Sequence, residues 1–80
     1  MKTHYFTFGQ THTHSFNGIT LDKNVVVKIT SEDPREKMVE YFGDQWCFEY
    51  NGLESVGLEY YPKGIFNANK GKFETSGKDL

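Results

Sequence analysis

Rings and branched aliphatic residues first recur along this chain with a period of two. His4-Tyr5-Phe6-Thr7-Phe8 alternates and stops at Gly9, which puts Phe6 and Phe8 on one face of a strand and Tyr5 and Thr7 on the other. A polar connection over residues 9–18 ends in Asn17-Gly18, a turn pair. The extended pattern resumes from Ile19 to Thr30. Asp22-Lys23-Asn24 interrupts it as a bulge, after which Val25, Val27 and Ile29 oppose Val26 and Lys28. The two segments predict an antiparallel hairpin with a long loop.

The period then changes. Asp33-Pro34-Arg35-Glu36 supplies an acidic cap, proline at the first helical position and glutamate three residues after the cap. A helix over 33–43 follows, with Met38, Val39, Phe42 and the stem of Arg35 as its docking stripe and Gly43 as its left-handed stop. Gln45 to Tyr50 returns to period two, with Trp46, Phe48 and Tyr50 sharing a face opposite Cys47 and Glu49. Leu53 to Gly57 reads as a helical turn or loop, and Leu58 to Tyr61 as a short fourth strand stopped by Pro62.

These elements predict an α+β domain: a mostly antiparallel sheet of three to four strands with one helix on one face, split βαβ-like in ββαβ order. The first strand lies between the second and third. The domain spans 1–66, and the Asn-, Lys-, Gly- and Ser-rich residues 67–80 form a flexible polar tail. The expected core is Phe6, Phe8, Val27, Ile29, Met38, Phe42, Trp46 and Phe48. Aromatic residues make up 16% of the 80 residues, so ring surface must supply much of the burial that so short a chain needs. A single cysteine, Cys47, rules out an internal disulfide. Between Trp46 and Phe48 it reads as a small buried hydrophobe. No run approaches the roughly 18 apolar residues of a membrane span, and Lys2 is followed by no apolar run of signal-peptide length. A cytoplasmic protein is expected.

Net charge is -2 overall, but segment by segment it is uneven. Residues 31–61 carry eight carboxylates against Arg35 and Lys37, whereas lysines exceed acids on either side. Such an acidic middle argues against nucleic acid and for a partner with a basic surface. Glu36 and Glu40 lie four apart on one side of the helix, a pair that local folding does not ask for. With Asp44, Glu54 and Glu59 they are the candidate partner-binding residues. Gln10, His12 and His14, in the 9–18 loop, are the alternative ligand-binding set, for a nucleotide-like compound or a metal. His12 and His14 would share a face, yet zinc wants three or four ligands. We therefore expect no tight metal site there, no cofactor and, lacking a nucleophile beside a base or a phosphate loop, no enzyme. Unpaired strand edges and exposed Tyr5, Tyr60 and Tyr61 favour a modest homodimer.

Tyr5-Phe6-Thr7-Phe8-Gly9-Gln10 with His12, Arg35-Glu36-Lys37-Met38, Phe42-Gly43-Asp44-Gln45-Trp46-Cys47-Phe48-Glu49-Tyr50 and Tyr61-Pro62-Lys63-Gly64 form a pattern over residues 4–66. It resembles a group of small phage and prophage proteins with YFTFG, AREKM, FGxxWAFxY and YPKG motifs. This chain departs at Cys47, where the group often has alanine, at Asp33-Pro34, and in its longer His-x-His loop. The resemblance implies a viral product in the host bacterial cytoplasm. The expectation is a non-enzymatic accessory protein that binds, and inhibits or redirects, a host defence protein.

Overall fold

A computed structural model describes residues 1–10, 12–16 and 18–75. In chain order, the strands are β1 (Lys2–Thr7), β2 (His14–Phe16), β3 (Ile19–Leu21), β4 (Val25–Ser31), β5 (Phe48–Tyr50), β6 (Gly64–Asn67) and β7 (Lys72–Thr75). Helix α1 (Pro34–Phe42) stands between β4 and β5, and two 3-10 turns, Leu53–Ser55 and Leu58–Tyr60, stand between β5 and β6. The fold is α+β, as the patterns predict.

Among the described residues one sheet has five strands in the order β5-β1-β4-β6-β7, and β2-β3 form a separate ribbon. β1 runs antiparallel to both neighbours, with Phe6 opposite Val27 and Glu49. β6 pairs parallel with β4, and β7 antiparallel with β6. The expected count of three to four strands is therefore corrected to a mixed sheet of five. The chain goes from β4 to β5 over one face and returns from β5 to β6 over the other. Two crossovers in opposite directions on opposite faces share one hand, as the twist of strands requires.

Sheet alternation sorts the core. Phe6, Val25, Val27, Ile29 and Phe66 point to α1 and meet Met38 and Phe42, while Leu21, Phe16 and Ile19 of the ribbon close the same cluster. Val26 and Ile65 point the other way, to Val56, Leu53, Tyr5, Tyr50 and Tyr61. β4 is buried on both faces because both crossovers cover it, which explains its continuous Val25-Val26-Val27.

Asp33 caps α1, its side chain accepting from the Glu36 amide at 3.2 Å, and Gly43 ends it at φ 68°. The buried stripe is Pro34, Met38 and Phe42, one residue wide at four-residue spacing. Val39 is consequently 49% exposed, and Arg35 turns out over the Trp46 ring at 5.6 Å, so neither docks as expected.

Four further expectations are corrected. Strand β5 begins only at Phe48, so the alternation does not carry back to Trp46. Trp46 stays on the helix side, edge-on to Phe6 at 5.1 Å, whereas Phe48 sits opposite Thr7 and is exposed. Cys47 is exposed too, with its thiol donating to the Phe8 carbonyl at 3.3 Å. Leu58–Tyr60 is a 3-10 turn, not a strand. Asp22-Lys23-Asn24 is a turn, not a bulge: the Asn24 amide donates to Asp22 Oδ1 and the Val25 amide to the Asp22 carbonyl.

Residues 67–75 are not a tail. Phe73 packs edge-on against Phe66 at 5.3 Å, Glu74 accepts from Lys28 and Asn67, and Asn69 exchanges two hydrogen bonds with the Thr30 backbone. Residues 76–80, and Asn17 of the expected Asn17-Gly18 turn, lie outside the described residues. Lys28 occupies the interior strand β4; the edges are β5 and β7.

Candidate functional site

The acidic set divides between the two faces. Glu36 and Glu40 are exposed on α1, Asp44 follows it, and Glu54 and Glu59 ride the 3-10 turns across the sheet. Beside α1, Glu32, Asp33, Glu36 and Glu40 border a shallow recess of about 370 Å³ with Met1 and Lys37. Lys37 Nζ donates to Glu40 Oε2 at 3.1 Å, and that bond raises the lysine above its ordinary pKa.

The loop set divides as well. His14 belongs to the helix side: its ring lies 4.8 Å from Phe8 and 5.1 Å from Phe42, and Nε2 donates to the Gln45 carbonyl at 2.7 Å. His12 has a buried Nδ1 without a hydrogen-bond partner. Gln10 goes elsewhere, to the rim of a cleft on the opposite side. Among the described residues no three of His, Cys, Asp and Glu come together as a metal-binding group. His4 Nδ1 instead meets Glu49 Oε2 at 2.6 Å, and Arg35 Nε lies 3.5 Å from the other Glu49 oxygen, which fastens α1 to the β5 edge.

The cleft has a volume of about 400 Å³. Thr7 forms its floor. Pairing opposite Val26 and Phe48 puts the Thr7 side chain on the sheet face away from α1, under the crossover that carries the 3-10 turns. Thr7 is 1% exposed, and its Oγ1 has no hydrogen-bond partner. A buried hydroxyl left unpaired costs about 1–3 kcal/mol, so folding alone does not favour one here.

Phe48, Tyr60 and Tyr61 bring rings to the walls, and Gln10, Lys23 and Asn24 bring polar groups. Phe48 is 59% and Tyr60 75% exposed. Each wall has a local cause. The 22–24 turn is tied to the start of β6: the Lys63 amide donates to the Asn24 carbonyl, and Lys63 Nζ to Asp22 Oδ2 at 3.1 Å. The Asn24 amide, then Lys63, hold the Asp22 carboxyl below its usual pKa, so it stays ionised and paired. Gly9, at φ 72°, turns the chain out of β1, and a Cβ there would run into the Cys47 thiol. Lys23 is the one charged residue of the lining, and among the described residues it makes no ion pair.

Sequence reasoning picked out Gln10 and the exposed tyrosines but missed Thr7, Lys23, Asn24 and the outward Phe48. These come from three separated segments, and no spacing in the chain announces them.

Compared with known proteins, the chain matches no family model, no curated protein and no solved structure. No helix among the described residues is long and apolar enough to cross a membrane.

Proposed function

We propose that this chain is a non-enzymatic binding protein that takes a small ligand into the cleft over Thr7. The observation that carries the reading is the Thr7 hydroxyl, buried and unpartnered beneath a recess with aromatic and amide walls. Small-molecule sites are concave, ring-lined and furnished with few polar groups, and this cleft has that composition. The resemblance to phage proteins supports a viral accessory role in a host bacterial cytoplasm, where holding a small compound would withdraw it from its receptor. A fragment screen read by amide NMR tests the reading. Aromatic fragments are expected to shift residues 7, 23, 48, 60 and 61 and to lose those shifts in Phe48→Ala with Tyr60→Ala. Fragments that gather elsewhere, or not at all, would refute it.

A second reading is a host protein with a basic surface, captured along α1. It is favoured by Met1, 92% exposed beside a recess whose one lysine, Lys37, is already engaged by Glu40. Its binding set shrinks to the helix side: Glu36, Glu40 and Asp44. Glu36→Lys with Glu40→Lys should slow association with a pulled-down partner and weaken its salt dependence. An unchanged rate at low salt removes this reading.

A further inference from the structure

We propose that the ligand of the Thr7 cleft is a free mononucleotide, a planar base and one phosphate linked through a ribose. This rests on the small-ligand reading above and names its chemistry.

The rings point to a flat, π-faced ligand. Phe48 and Tyr60 are the two most exposed aromatic residues of the described chain, and both border the same recess. Neither is needed by the core on either side of the sheet. Aromatic side chains left outside a core but gathered at a recess act as stacking platforms, which accept any base because every base has a π-face.

Charge points to a single anion. Asp22 is paired with Lys63 beside the cleft, and Lys23, exposed on the rim and in no ion pair among the described residues, is the one cation of the lining. One cation suits one phosphate. A nucleic-acid strand would call for a track of them, which a chain of net charge -2 with acids over residues 31–61 does not offer here. The volume agrees: about 400 Å³ lies at the lower end of small-ligand pockets.

Polar groups at the floor and wall suit the edge of a base or a ribose. Thr7 Oγ1 can both donate and accept, and the side-chain amides of Gln10 and Asn24 each present a donor beside an acceptor. A hydroxyl that is unpaired and closed off from water in the free protein would gain its partner from the ligand as the walls part to admit it.

Calorimetry and amide NMR with the four nucleoside monophosphates test this on the intact chain, with adenosine, inorganic phosphate and a short oligoadenylate as controls. At least one monophosphate is expected to saturate with a micromolar Kd and to shift residues 7, 23, 48, 60 and 61. Adenosine and phosphate should each bind about tenfold or more weakly, and Lys23→Ala or Tyr60→Leu should cost about tenfold in Kd. Lys23 and Tyr60 are exposed, so both variants should fold. The proposal is overturned if no monophosphate saturates by about 1 mM, if adenosine binds as well as its phosphate, or if the oligoadenylate binds more tightly per molecule. Should nucleotides fail while neutral aromatic fragments still occupy the cleft, the nucleotide class falls and the small-ligand reading stands. Should both fail, both fall.

Discussion

Thr7→Val removes one oxygen from the floor of the cleft and keeps the branched shape of the side chain. Both residues suit a strand, and Thr7 is 1% exposed on β1, so no backbone or surface change accompanies the exchange. What changes is a hydroxyl that was stripped of water on folding and received no partner. Such a group costs about 1–3 kcal/mol, and an apolar group of the same shape avoids that cost. The variant should therefore be more stable by about 1–2 kcal/mol, a Tm rise of roughly 4–8 °C per kcal/mol for a domain of this size. Urea unfolding should show the gain as a higher midpoint with an unchanged slope. The same substitution should weaken nucleotide binding, the opposite direction, as expected where a site trades stability for function. A variant less stable by about 1 kcal/mol would show that the hydroxyl already has a partner in the free protein. The reasoning that reserves Thr7 for a ligand would then be wrong.

Phe42→Ala should cost about 3–5 kcal/mol, since its ring fills the space between Phe8, His14 and Phe16; denaturant unfolding giving a loss below about 1 kcal/mol would take Phe42 out of the core. Glu74 is held below its ordinary carboxylate pKa by the bond from Lys28, then by that from Asn67, so its contribution is complete above the unfolded value of 4.5 and is lost as pH falls through the lowered folded value. Glu74→Gln should accordingly lower stability at neutral pH and flatten its fall below pH 4.5, by no more than about 1 kcal/mol because the pair is partly exposed. Melting curves across that range check it, and an unaltered acid limb would unseat the Lys28–Glu74–Asn67 clasp.

Much of this protein was written in local patterns. Alternation defined β1 and β4, which pair antiparallel although the β2-β3 ribbon stands between them, while Asp33, Pro34 and Gly43 set the ends of α1, because caps and periodicity act within a few residues. Local signals failed where distant chain decided the outcome. Phe73 is a lone ring in a polar stretch, and it becomes part of a strand only because Phe66 offers it a surface. Trp46 and Phe48, two residues apart, part company because β5 begins only at Phe48, which leaves Trp46 outside the alternation and against Phe6. The acidic residues looked continuous along the chain, yet a five-stranded sheet separates Glu36 and Glu40 from Glu54 and Glu59. The cleft is wholly a tertiary product. Thr7 is an ordinary strand residue until a crossover passes over it, and Lys23, Phe48 and Tyr60 meet only because β4, β5 and the 3-10 turns converge at one end of the sheet. Periodicity fixes which face a side chain takes, but what covers that face depends on segments far away in sequence.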